Sequence, residues 1–199
     1  MSLASSDAPQ PRFDTLGTMI VVVGPSGAGK DTLIDYAAER LRHHPDVHFV
    51  RRVITRDSDA GGENHVGCSE DAFQQKKVAG EFCVSWSAHG LHYGIPASVE
   101  EHLTEGGVAV ANGSRSALPH FRSAFPSLKV VVVTARPEIL SARLASRGRE
   151  SMSEIMGRLD RKVDPICGDF DVTTIDNSGE IQEAGSALLA LVQDCLPAR

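Results

Sequence analysis

Cysteine is scarce and scattered. Cys68, Cys83, Cys167 and Cys195 are the only four among 199 residues, and no two form a CxxC pair. That spacing excludes a disulfide scaffold and a zinc cluster and fits reduced thiols. Long apolar runs are missing as well, so no stretch is suited to span a bilayer, and no membrane partner is expected. The first seventeen residues (MSLASSDAPQPRFDTLG) lack the basic start and apolar core of a secretory signal. They read as a flexible leader, and a cytoplasmic protein is expected. An excess of positive charge is absent too. The net charge of -6 and pI near 5.7 leave no overall positive field to hold nucleic acid by counterion release, so no nucleic-acid partner is expected.

Lysine is the scarcest of the charged residues, with five Lys against fifteen Arg among the twenty basic residues. Arg143, Arg147, Arg149, Arg158 and Arg161 crowd into one short stretch. Planar guanidinium forks suit bidentate phosphate binding better than ammonium groups do. With 41% hydrophobic residues and 23% charged, the remainder is an ordinary globular composition. Its length predicts one core, not two, over residues 18–199.

Short β-branched runs at Thr18–Val23, Val108–Ala111, Leu128–Thr134 and Val172–Ile175 read as buried strands. Helical patterns over Pro96–Glu105, Ser116–Ala124, Pro137–Ser146 and Met152–Val163 separate or follow them, with proline in the first turn of the first and third. A last helix over Glu180–Cys195 repeats Ile181, Ala184, Leu188, Leu191 and Cys195 at helical spacing. The alternation predicts a three-layer α/β fold with a parallel central sheet. Between Thr55 and Tyr93 the rhythm breaks into a polar, Gly-rich, irregular segment where a βαβ repeat would place a helix. Excursions of this kind carry substrate contacts.

The strongest local signal is Gly24-Pro25-Ser26-Gly27-Ala28-Gly29-Lys30, which follows a buried strand and opens a helix whose apolar face is Leu33, Ile34, Ala37, Ala38 and Leu41. This is the GxxxxGK core of a P-loop in its required context. Its glycines let successive backbone N–H groups converge on phosphate oxygens, the helix N-terminus adds its dipole, and Lys30 supplies a point charge. A nucleoside triphosphate is the expected donor. One departure stands out. The hydroxyl that ordinarily binds Mg²⁺ after the lysine is replaced by Asp31, with Thr32 following. Either Asp31 holds Mg²⁺, leaving a neutral Asn112 free for the acceptor, or Asp31 favours the helix N-terminus while Thr32 contacts phosphate.

GPSGAGK, the ITR string ending at Arg56, HGLHYG at 89–94, RLASRGR at 143–149 and GRL at 157–159 together resemble the guanylate-kinase branch of the nucleoside monophosphate kinases. The resemblance covers residues 19 to about 180. It implies a P-loop kinase fold with an acceptor-binding lobe (55–95) and a helical lid (145–160). Arg56 would then grip the acceptor phosphate, and Lys30, Arg147 and Arg158 would serve catalysis.

The guanine-reading pattern is not kept. Ser87 stands where a glutamate is expected before the HG dipeptide, and Ile95 where a hydroxyl is expected after YG. The second acceptor arginine and a downstream phosphate-binding tyrosine are missing. Losing polar partners for a purine costs orders of magnitude in discrimination.

ITRDSDAGGENH (54–65), SWSAHGLHYG (85–94), ANGSRSALP (111–119) and SRGRE (146–150) are similar to the ribose 1,5-bisphosphate phosphokinase family, a guanylate-kinase relative. This likeness implies transfer from ATP to the 1-phosphate of ribose 1,5-bisphosphate, giving 5-phosphoribosyl 1-diphosphate within phosphonate breakdown. A small sugar phosphate is the expected partner. The substrate candidates are Arg56, Asn64, His65, Ser87, Tyr93, Asn112 and Arg115.

Several residues carry a second reading. Arg147, Arg149 and Arg158 also fit a solvated helix face paired with Glu150 and Glu154. Arg51 and Arg52 fit either a surface position or a substrate contact. Trp86 fits the core or a stacking platform, and His43 and His44 fit cations beside a helix end. A nucleoside monophosphate kinase with a remodelled base site, or a non-catalytic guanylate-kinase-like binding module, are the competing functions.

Overall fold

The structure is a computed structural model, described here for residues 16–58, 63–146, 166 and 168–197. Five parallel strands form the central sheet in the order β2-β7-β1-β8-β9. They are β1 (Thr18–Val23), β2 (Val47–Phe49), β7 (Val108–Asn112), β8 (Leu128–Thr134) and β9 (Asp171–Asp176). The continuous apolar run of β1 follows from its central place between β7 and β8, where both of its faces are covered.

Alternate residues of β1 feed two cores. Met19, Val21 and Val23 pack with Trp86, Phe121 and Leu118, whereas Ile20 and Val22 pack with Leu33, Ala37 and Leu188. The second core lies under α1 (Lys30–Leu41) and the last helix, α6 (Ile181–Asp194). Those two helices approach closely at Gly185, where a Cβ would stand 2.5 Å from the Tyr36 ring. The first core lies under α3 (Ser98–Thr104), a 3₁₀ turn (Arg115–Ala117) and α4 (Leu118–Ala124). The remaining long helix, α5 (Pro137–Ser146), has the bounds its periodicity predicts.

Two expectations need correction. Pro96 ends a strand and does not open a helix, and α3 begins at Ser98. The residue before a proline is driven to extended backbone, and a proline is tolerated where a ladder stops.

Among the described residues, the stretch from Thr55 to Tyr93 is largely regular, not irregular. It belongs to a second, four-stranded sheet in the order β4-β3-β6-β5, made of β3 (Val53–Ile54), β4 (Val66–Gly67), β5 (Phe82–Ala88) and β6 (Leu91–Pro96). Helix α2 (Glu70–Val78) packs against it. Phe73 is the only buried residue of α2, so the helix has no apolar stripe for a periodicity reading to detect. Its start is nonetheless written locally: Ser69 Oγ accepts from the Ala72 N–H, and Glu70 and Asp71 occupy the first turn.

Candidate active site

The phosphate loop springs from the end of β1 and closes into α1, as its sequence predicts. Gly24 and Gly29 have φ of 153° and 88°, and a Cβ on Gly24 would lie 2.2 Å from the Val133 carbonyl oxygen. At Gly29 it would lie 2.3 Å from Asn177 Nδ2. Only glycine fits both the backbone angle and the space. Lys30 Nζ curls over the loop and donates to the carbonyls of Gly24 (3.0 Å) and Pro25 (3.2 Å). Pro25 and Ser26 form the loop's outer side, with Ser26 exposed, while Gly27 and Ala28 are buried. Asp31 is half-buried in the first turn of α1, and Thr32 is exposed.

The loop is braced from behind by a residue the motif does not name. Asn177, just past β9 and buried, donates through Nδ2 to the Ala28 carbonyl at 2.7 Å, and Arg143 of α5 approaches the same oxygen at 3.5 Å. A loop whose N–H groups face phosphate has carbonyls that must find donors elsewhere, and Asn177 supplies one. Nothing local in the sequence marks it, because its role arises only when the fifth strand is brought beside the fourth.

Across the mouth of the loop stands the second sheet. In the β5–β6 pair Trp86 lies opposite Tyr93, their rings stacked at 5.3 Å, and Trp86 is core, as one of its two readings held. Arg52 lies over both rings, 5.0 Å from that of Tyr93 and 5.6 Å from that of Trp86, and forms a two-pronged ion pair with Glu63. Arg52 is therefore buried and paired, not a surface residue. Exposed Arg51 reaches the His65 carbonyl at 3.4 Å.

Arg56 Nη2 comes within 3.3 Å of His65 Nδ1, so the two predicted phosphate contacts are brought together. His65 Nδ1 is also 3.0 Å from the Glu63 carbonyl; the guanidinium only donates and the carbonyl only accepts, so the tautomer decides which of the two this nitrogen bonds. Burial pushes the Tyr93 phenol up, partly offset by the positive charges of Arg52 and Arg56. Exposed Asn64 lies between Glu63 and His65. Arg115 opens the 3₁₀ turn three residues past the end of β7.

Two substrate candidates are placed otherwise than expected. Ser87 pairs with His92 across the strands, and its hydroxyl lies 2.7 Å from His92 Nδ1. Because side chains alternate along a strand, this puts Ser87 on the α2 side, away from the Arg52–Tyr93 face. Asn112 is not free for a sugar. Its Nδ2 lies 2.5 Å from Asp31 Oδ1 and 3.0 Å from Glu63 Oε2, so both amide hydrogens are engaged. Glu63 itself was not among the candidates; its sequence surroundings, GGENH, read as a loop, and its partners are 11 and 49 residues away. Arg147, Arg149 and Arg158 lie outside the described residues.

A polar cleft of about 520 Å³ adjoins Arg56, lined by Thr55, Ser58, Ser69 and Glu70 among others. A larger groove of about 600 Å³ runs between β9 and α6 and includes Lys129, Asp176 and Cys195.

A strand-loop-helix phosphate cradle facing a second lobe that carries an arginine and a histidine side by side defines a P-loop phosphotransferase. Residues 20–157 match the family described as AAA domain. The ribose 1,5-bisphosphate phosphokinase PhnN of Agrobacterium fabrum is 60% identical over 175 residues, covering 88% of this chain and 96% of that protein. Its counterpart in Rhizobium etli is 53% identical, over 90% of this chain and 91% of that one. Guanylate kinase from Anaplasma phagocytophilum shares the fold at a TM-score of 0.65 and 14% identity, with coverage of 90% and 86%. The chain belongs to the ribose 1,5-bisphosphate phosphokinase family of guanylate-kinase-like P-loop kinases.

Proposed function

We propose that the protein transfers the γ-phosphoryl group of ATP to the 1-phosphate of ribose 1,5-bisphosphate, yielding 5-phosphoribosyl 1-diphosphate and ADP. It would do so in the cytoplasm, during phosphonate breakdown. The observation that carries this reading is the juxtaposition of Arg56 and His65 opposite the phosphate loop, in a chain 60% identical to a ribose 1,5-bisphosphate phosphokinase.

The acceptor is a phosphate monoester whose second proton leaves near pH ~6, so at neutral pH it is already a nucleophilic dianion. No general base is needed. The barrier is instead the approach of two anions, which fixed positive charge and alignment reduce. Arg56 and His65 hold the acceptor side, and Lys30 with the loop N–H groups holds the donor side. Tyr93 and Arg52 line the floor between them. Asn64, Arg115 and the cleft beside Arg56 offer further polar contacts for the sugar and its second phosphate. Arg147 and Arg158 are proposed to close over the transferring group as lid residues, with residues 18–199 acting as one kinase unit.

Mg²⁺ fits the hard oxygen of Asp31, which stands at the mouth of the loop beside Lys30; bound there with ATP, it supplies charge neutralisation at the transferring phosphates. Among the described residues no three His, Cys, Asp or Glu side chains gather as a metal site. At the two positions where the guanylate-kinase pattern has its purine readers, Ser87 faces α2 and Ile95 is fully buried, which supports a non-purine acceptor. Following the reaction by phosphorus NMR tests the proposal. A diphosphate pair should appear from the 1-phosphate signal with the 5-phosphate unchanged, and new signals from the 5-phosphate would refute it.

A further inference from the structure

The amide of Asn112 joins two carboxylates that belong to different parts of the molecule. Asp31 is on the phosphate-loop helix, and Glu63 precedes β4 in the acceptor lobe. A carboxylate only accepts, so the contacts at 2.5 and 3.0 Å fix the nitrogen end of the amide toward both acids. Glu63 is in turn clamped by Arg52, and both side chains of that pair are largely buried, at 9% and 14% exposure. Asn112 is itself buried at the end of β7, the neighbour of β1 from which the phosphate loop springs. The result is a rigid row, Arg52–Glu63–Asn112–Asp31, running from the acceptor lobe to the residue beside Lys30.

We propose that Asn112 and Glu63 are positioning residues for the phosphoryl transfer, holding the Asp31 carboxylate at the mouth of the phosphate loop in the orientation a divalent cation needs. The idea rests on the reading of Asp31 as the metal-facing residue. Asp31 begins a helix and its side chain has several rotamers open to it; a charge-assisted hydrogen bond from a buried amide selects one of them. The neutral amide is essential to the arrangement. A carboxylate at 112 would stand against both Asp31 and Glu63, and an apolar side chain would leave the two acids with no common donor. Glu63 completes the device by fixing Asn112 in turn, and its own backbone carbonyl lies 3.0 Å from His65 Nδ1. The residue that aligns the metal-facing acid is thereby tied to the residue that meets the acceptor.

The test needs no turnover. Mn²⁺ is titrated into the full-length protein saturated with ADP, without acceptor, and free Mn²⁺ is read by electron paramagnetic resonance. Asp31→Asn, Asn112→Ala, Glu63→Gln and the double variant Asp31→Asn/Asn112→Ala are compared with the native chain. ADP affinity in the absence of metal is measured on each to confirm a folded loop. Asn112→Ala and Glu63→Gln are expected to weaken Mn²⁺ roughly five- to ten-fold, a typical coupling between linked sites, with ADP affinity unchanged. The double variant is expected to be no weaker than Asp31→Asn alone, because Asn112 acts through Asp31.

Weakened Mn²⁺ in Asp31→Asn but native affinity in both Asn112→Ala and Glu63→Gln would overturn the positioning role and leave the metal reading of Asp31 standing. Native affinity in Asp31→Asn would overturn the metal reading and the positioning role together. Additive losses in the double variant would show Asn112 acting independently, which also contradicts the proposal. Asn112→Ala leaves the Arg52–Glu63 pair intact, so its result stands even if Glu63→Gln folds poorly.

Discussion

Arg52 grips Glu63 with two nitrogens, Nε at 2.8 Å from Oε1 and Nη2 on Oε2, in a setting where both side chains are largely shielded from water. Removing one member of such a pair leaves an uncompensated buried charge, which is worse than having neither. Arg52→Met should therefore cost about 3 kcal/mol of stability, while Arg52→Met/Glu63→Leu should recover much of that loss. Urea unfolding of the three proteins checks the order, and equal losses in the single and double variants would show the pair to be unimportant to folding.

Asn177 offers a second case in which one side chain serves a distant loop. Its amide holds the Ala28 carbonyl at 2.7 Å, so Asn177→Ala leaves a buried acceptor without its donor and should lower stability by about 1–3 kcal/mol. ATP should bind more weakly by roughly tenfold, in proportion to about 1.4 kcal/mol of loop disorder. Calorimetric ATP binding and thermal unfolding measure both, and Asn177→Asp, which lacks the amide donor, should behave like the alanine variant.

The inner strands of the central sheet and the phosphate loop were legible because their signals are local; β2 was not read, and β9, expected as a buried strand, is an edge strand with only Ile175 buried. Buried parallel strands are continuous apolar runs, and the loop's glycines and lysine are contiguous, so β8 and α5 have the bounds predicted from pattern alone. Helix α2 escaped because a single buried Phe73 leaves no period to read. Glu63 and Asn177 escaped for a different reason. Each acts on a partner far away in the chain, Asn112 at 49 positions and Ala28 at 149, and no spacing rule reaches across such separations. The face of Ser87 was not legible because the segment that holds it read as irregular; the register that pairs it with His92 turns it toward α2.

Asp35 stands one turn along α1 from Asp31, and burial first, then the charges of Asp31 and Glu63, raise its carboxyl above the ordinary value. A carboxyl whose folded pKa is raised favours the folded state while protonated. Its ionisation therefore weakens stability progressively as pH rises from the unfolded pKa through the folded one. Asp35→Asn should accordingly raise the melting temperature at pH 7 in metal-free buffer. That gain should vanish as pH falls below the ordinary carboxylate range. A gain that grows toward low pH would contradict this account of the repulsion.

Cys83 faces the carbonyls of Ile95 and Pro96 at 3.5 Å, and burial, aided by the charge of Glu100, pushes its thiol up to about 12. Thiolate is the reactive form, so Cys83 should resist alkylation at pH 8 and react only on unfolding. Peptide mapping after iodoacetamide treatment, with and without urea, reads this directly; rapid labelling of Cys83 in the native protein would refute it.

The proposed function requires the lobe facing the phosphate loop to accept a sugar phosphate and to refuse a purine nucleotide. ADP release measured at saturating ATP with ribose 1,5-bisphosphate, ribose 5-phosphate, AMP and GMP tests it most directly. Hydrogen-bond readers absent from a polar base cost on the order of 10⁴-fold in discrimination, so kcat/KM for ribose 1,5-bisphosphate should exceed that for GMP by at least about a thousandfold. Comparable turnover of GMP would contradict that requirement.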